Sequence, residues 1–146
     1  MDLSILQSVD DEIFDAFARL VPQLSSTAKI PTREELEAMV NSDSSIVLIA
    51  RDPEQGGKIV GSLTLVVFRV PTGIRAWIED VVVDGAERGK GIGEALTRYA
   101  LDVARERRAK NVDLTSRPSR EAANRLYQRV GFELRQSNLY RYKLED

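Results

Sequence analysis

From Val81 to Gly93 the chain reads Val-Val-Val-Asp-Gly-Ala-Glu-Arg-Gly-Lys-Gly-Ile-Gly, and a strongly helical pattern follows. A strand that runs into a glycine-rich turn, which then opens a helix, collects free backbone N–H groups at one point. The helix dipole adds roughly half a positive charge there. Phosphate or pyrophosphate binds such a place. Glycine is needed because a Cβ would hold the phosphate oxygens away from the N–H groups. Two other phosphate motifs fit worse. A dinucleotide fingerprint needs a third glycine where Glu94 stands, and no segment supplies G-x-x-x-x-G-K-[ST]. The plainer alternative is a flexible turn with glycine at a helix cap.

The 146 residues include no Cys and no His. That excludes disulfides, thiol nucleophiles, Cys/His zinc sites and every triad with a His base. Proton chemistry falls to carboxylates, Tyr, Lys, backbone groups or water. The length suits a single domain over residues 1–146, and 42% hydrophobic residues can build its core. A net charge of −2 argues against nucleic acid or an anionic membrane as partner. Arg105, Arg107, Arg108 and Lys110 form a basic stretch, which reads as a solvated helix end favoured by the dipole. The longest apolar runs are strand-length, and Met1-Asp2-Leu3-Ser4 lacks the order of a signal peptide. A cytoplasmic protein is the expectation.

The elements that must position this turn follow from periodicity. Residues 3–8 read as a first strand. A helix opens at Val9-Asp10-Asp11 with Ile13, Phe14, Phe17, Leu20 and Val21 on one stripe, and Pro22 should end or kink it. Thr32 and Glu35 make a capping-box pattern for a second helix. Strands follow at 45–51, 58–70 and 74–84, the last two joined by Pro71-Thr72-Gly73. A helix over 91–108 carries Ile92, Leu96, Tyr99, Ala100, Val103 and Ala104 on one face. Residues 111–116 read as a short strand. Ser119 caps a helix that runs to Val130 with Gly131 at its end. Residues 132–137 and 139–144 read as a closing hairpin around Asn138. The order is β-α-α-β-β-β-α-β-α-β-β, an α+β class with a mixed, mostly antiparallel sheet of about seven strands and four helices.

Arg88-x-x-Gly91-x-Gly93 resembles the R/Q-x-x-G-x-G/A acetyl-CoA signature of the GNAT acyltransferases. Ile78-Glu79-Asp80-Val81-Val82-Val83 looks like the strand before that signature, particularly in glucosamine-6-phosphate N-acetyltransferases. Asn124-Arg125-Leu126-Tyr127-Gln128-Arg129-Val130-Gly131-Phe132 is similar to the second motif, N-x-x-[LF]-Y-x-x-x-G-F. With the element order, the resemblance covers nearly the whole chain. It implies acetyl-CoA as acyl donor and no metal. It implies that the strand ending at Asp84 and the strand 111–116 splay apart around pantetheine. Backbone groups of Val81 and Val83 would pair with the pantetheine amides, and the N–H of Val81 would hold the thioester oxygen. The N–H groups of Gly89, Lys90, Gly91, Ile92 and Gly93, with Arg88 nearby, would take the pyrophosphate. Asn124 would support the cofactor's far arm, and Tyr127 would face the sulfur. A homodimer through the C-terminal strands rests on analogy alone.

Transfer to an amine runs through a tetrahedral oxyanion and then a thiolate. It needs an oxyanion donor, a base for the amine and an acid for the sulfur. One backbone donor such as Val81 N–H is typically worth ~3 kcal/mol. Tyr127 is the candidate acid, with a core aromatic as the alternative. Glu79 is the candidate base, directly or through water, with a solvated strand-face carboxylate as the alternative. In a regular strand Glu79 would point the same way as Val81; a bulge would change this. Arg117 and Arg120 either touch the CoA 3′-phosphate or lie on the surface. The expected activity is N-acetylation of a primary amine on a small molecule or a peptide. The alternative is a non-catalytic acyl-CoA-binding sensor or interaction module on the same fold.

Overall fold

In the computed structural model, residues 1–145 are described, and a five-stranded sheet carries the fold. The chain divides into two units, Met1–Thr115 and the segment from Ser116 on. The first unit runs β1 (Asp2–Ile5), α1 (Asp11–Leu24), α2 (Arg33–Val40), β2 (Ser45–Asp52), β3 (Lys58–Val70), β4 (Gly73–Val83), α3 (Ile92–Glu106) and β5 (Val112–Asp113). The second holds α4 (Glu121–Val130). Strand order is β1-β2-β3-β4-β5, antiparallel throughout except for the parallel β4–β5 pair.

The α1 stripe folds as its spacing predicts. Ile13, Ala16, Phe17 and Leu20 are buried, and with Leu36 of α2 they cover Val47, Ile49, Ile59 and Val82 of the sheet. Asp10 caps the helix by accepting from Ile13 N–H at 2.9 Å. Pro22 does not end α1; the helix runs on to Leu24. Pro22 sits in the last turn and is exposed, so the donor it lacks costs a single hydrogen bond. At α2 the capping box is complete: Glu35 N–H donates to Thr32 Oγ1 at 3.1 Å, and Thr32 N–H to Glu35 Oε1 at 3.0 Å.

On the opposite sheet face lies α3, its Ile92, Leu96, Ala100, Val103 and Ala104 buried. Gly61 of β3 lies beneath it. A Cβ there would stand 3.1 Å from Ile92 Cγ2 and 3.2 Å from Leu96 Cδ1, so the helix rests on bare backbone.

Among the described residues the sheet has five strands, not about seven. Residues 132–145 form neither helix nor strand, and Leu134, Leu139, Tyr140, Tyr142 and Leu144 are exposed. The predicted closing hairpin is therefore absent: a strand is completed by a neighbour's hydrogen bonds, and no strand pairs with this segment among the described residues. The strand predicted over 111–116 shrinks to Val112–Asp113. Ser119 is not the cap of α4; Arg120 takes that position and no side chain caps the helix. Gly131 does close it, at φ 121°. Among the described residues no helix is long and apolar enough to cross a membrane.

Candidate active site

The β4 strand carries a bulge where the sequence motif begins. Thr64 pairs with Glu79 and Ser62 with Val82, so Asp80 and Val81 together oppose the single Leu63. Asp80 takes a positive φ of 50°, which Asp tolerates better than most residues. The bulge changes the side-chain alternation. Val47, Thr64 and Glu79 form one cross-strand row, and Ile49, Ser62 and Val82 form the next. Val47, Ile49 and Val82 all belong to the core under α1 and α2. Glu79 therefore shares its sheet face with Val82 rather than with Val81, and its side chain is exposed.

The other edge of β4 opens early. Its parallel ladder with β5 holds only Ala76↔Val112 and Trp77↔Asp113, supported by Ala76 N–H donating to Asn111 O at 3.2 Å. Beyond Trp77, the rest of β4 has no strand on that side among the described residues. The ladder stops just before the bulge, and a bulge bends its strand.

From this edge the chain enters the one-turn helix Gly85–Glu87 and then the glycines. Asp84 is buried and caps that turn, accepting from Ala86 N–H at 3.3 Å. Arg19 lies 3.5 Å and Lys58 3.9 Å from its carboxylate. Gln23 Oε1 accepts from Gly85 N–H at 2.7 Å, so α1 holds the start of the turn. Gly89 and Gly91 adopt φ of 84° and 78°, where a Cβ is strained, and nothing lies within 4 Å of where one would stand. Gly91 is the α3 N-cap and offers no side chain. The first helical bond runs from Ala95 N–H to Gly91 O at 3.0 Å, which leaves Ile92 and Gly93 N–H without an intrahelical acceptor. Arg88 is exposed and makes no ion pair among the described residues. Lys90 instead pairs with buried Glu87.

In the second unit, Tyr127 meets Phe132 edge-on, ring centres 5.8 Å apart. Burial raises the Tyr127 phenol above its ordinary value, and Arg120 offsets part of the rise. Asn124 donates through Nδ2 to Arg117 O and Arg120 O, both at 2.9 Å. Its amide nitrogen thus fastens the entry to α4, where the sequence alone suggested only a ligand role.

Sequence reasoning missed the polar residues that hold the turn: Arg19, Gln23, Asp52, Gln55 and Glu87. Asp52 before Pro53 is a recognisable turn-capping pattern. Gln55 and Glu87 lie 32 positions apart with no periodicity joining them. Among the described residues no cluster of acidic side chains could hold a metal.

Comparison with known proteins bears on the family and the fold. The family model described as "Acetyltransferase (GNAT) family" matches residues 9–132. A probable glucosamine 6-phosphate N-acetyltransferase 2 of Oryza sativa subsp. japonica is 31% identical over 137 residues, covering 87% of this chain and 78% of that protein. An N-alpha-acetyltransferase 30 of Schizosaccharomyces pombe is 38% identical over 73 residues, and the match spans 50% of this chain and 48% of that protein. An aminoglycoside acetyltransferase from an uncultured soil metagenomic sample, solved with sisomicin, superposes with TM-score 0.83 at 23% identity, covering 99% of this chain and 96% of that one. A putative acetyltransferase from Agrobacterium tumefaciens str. C58 gives TM-score 0.81 at 21% identity over 98% and 100% of the two chains. The chain belongs to the acetyltransferase (GNAT) family. Among the described residues its α+β fold realises that class with four helices and a mixed sheet of five strands.

Proposed function

We propose that this chain, acting as a single domain, is an N-acetyltransferase that moves an acetyl group from acetyl-CoA to a primary amine. The observation that carries the reading is the open β4 edge beyond Trp77, leading through a tight turn into a helix capped by glycine. These features fit an acyl-CoA. An open strand edge pairs with an extended, amide-bearing chain by main-chain hydrogen bonds. The turn supplies N–H groups for a pyrophosphate, in space that no side chain occupies.

Bound acetyl-CoA supplies the thioester from which the acetyl group departs. The chain's own residues then have distinct tasks. Val81 and Val83 present backbone groups to the pantetheine amides, and Val81 N–H steadies the negative charge that develops on the carbonyl oxygen. Gly89, Lys90, Gly91, Ile92 and Gly93 offer N–H groups to the phosphates, with Arg88, which makes no ion pair among the described residues, beside them. Asn124 shapes the entry to α4, keeping its carbonyl oxygen for the cofactor. Glu79, exposed on the α1/α2 face, takes the amine's proton directly or through water. Tyr127 returns a proton to the leaving sulfur.

A primary amine as acceptor is supported by the names of similar proteins, a probable glucosamine 6-phosphate N-acetyltransferase and, among solved structures, an aminoglycoside acetyltransferase. The test is calorimetry with acetyl-CoA, then release of free CoA in the presence of a mixed amine panel. Acetyl-CoA at 100 times its Kd should stabilise the protein by ~2.7 kcal/mol. The expected result is binding followed by amine-dependent thiol release. No binding at millimolar acetyl-CoA overturns the reading. Binding without release by any amine makes the chain a non-catalytic acyl-CoA sensor.

A further inference from the structure

A chain of hydrogen bonds beneath the glycine turn has no part in the chemistry above. Gln55 ends the one-turn helix Pro53–Gln55. Its Nε2 donates to Asp52 Oδ2 at 2.7 Å and to Glu87 Oε1 at 2.8 Å, so both amide hydrogens are used on carboxylates. Glu87 Oε2 accepts from Lys90 Nζ. Asp52 Oδ1 accepts from Glu54 N–H at 2.9 Å. Both carboxylates are buried, Asp52 with 6% and Glu87 with 5% of its surface exposed. Each of their four oxygens therefore has a donor, which a buried carboxylate requires.

The arrangement decides where the turn's charges point. Two cations flank Gly89. Lys90 is drawn back onto Glu87, and Arg88 is left without an ion pair among the described residues. We propose that Glu87 is a positioning residue for the phosphate-binding turn: it anchors Lys90 and, through Gln55, ties the turn to the β2–β3 connection. Backbone N–H groups and Arg88, rather than the Lys90 ammonium, then meet the phosphates. This rests on the turn being the acetyl-CoA site. The Glu87 carboxyl is held below its ordinary range by Lys90 first and Gln55 second.

Glu87→Gln keeps the side chain's size but offers one acceptor to two donors, Gln55 and Lys90. Calorimetry on the intact variant should show the Kd for acetyl-CoA raised about fivefold, the effect of roughly one lost hydrogen bond. At saturating acetyl-CoA, kcat and the amine KM should stay within about twofold, because the turn does not touch the reacting atoms. Glu87→Asp should recover part of the affinity. If Lys90 itself bound phosphate, Glu87→Gln would free it and tighten binding; tighter binding overturns the proposal. A lowered Tm with unchanged Kd overturns it too, since Glu87 would then serve stability alone. Should Glu87→Gln fail to fold, Lys90→Met decides. An unchanged salt dependence of acetyl-CoA binding supports the proposal, and a weakened one overturns it. Wild-type protein that binds no acetyl-CoA would instead defeat the functional reading.

Discussion

Tyr127 is half-buried against Phe132, and that burial lifts its phenol above the ordinary value of 10.0. An acid so placed stays protonated throughout the neutral range. It also gives up its proton less readily to a thiolate of pKa near ~8.5. The help it gives should fall at the low end of the ~10²–10⁴-fold typical of general acids. Tyr127→Phe keeps the ring and its contact with Phe132. We expect kcat to fall by about a hundredfold while acetyl-CoA affinity holds. Single-turnover rates beside calorimetric Kd values check this, and an unchanged chemical rate would remove Tyr127 from the reaction. Glu79 shows the limit of reading one residue: its type suggests a base, but its direction depended on the bulge at Asp80 and Val81.

Elements whose signals are local formed close to where the sequence placed them, although Ser119 does not cap α4 and Pro22 does not end α1. The Thr32–Glu35 box is the clearest case, because both of its bonds lie within four consecutive residues. Thr32→Ala removes one acceptor from the first turn of α2 and should cost about 1 kcal/mol, measured by chemical denaturation. A cost near zero would show that packing of Leu36 alone holds the helix. Gly91 is a second local signal with a structural refinement. At φ 78°, a Val there would strain the backbone as well as crowd the phosphates. Lost binding in Gly91→Val would therefore need a folding control. The strand predicted over 111–116 pairs only at Val112 and Asp113. Its length was set by its neighbour.

For the whole molecule, acid should loosen the fold through a few identifiable carboxyls. Asp52 is held below its ordinary value by Gln55 and then Glu54, Glu87 by Lys90 and then Gln55, and Glu35 by Thr32. A carboxyl whose folded pKa lies below its unfolded value stabilises the native state above the unfolded value. That contribution is lost as pH falls through the folded pKa. The ordinary values here are 3.8 for Asp52 and 4.5 for Glu87 and Glu35. Tm should therefore hold steady through neutral pH and fall below about pH 4.5. Glu87→Gln should show a shallower fall, since one of the three groups no longer titrates. Circular dichroism melts between neutral and acid pH check this, and parallel curves for both proteins would contradict it.

The sequence by itself determined the helices, the three long strands, the glycine-opened α3 and the family, because periodicity, caps and motifs lie within short stretches of chain. Only the tertiary structure decided the rest. The bulge that turns Glu79 toward the α1/α2 face needs β3 as its partner. The open β4 edge depends on where β5 stops, and the absence of a strand over residues 132–145 on the lack of a paired neighbour among the described residues. The Asp52–Gln55–Glu87–Lys90 chain joins segments 32 positions apart. Strand pairing and long-range polar contacts are set by which surfaces meet after collapse, and no local pattern in the chain records that.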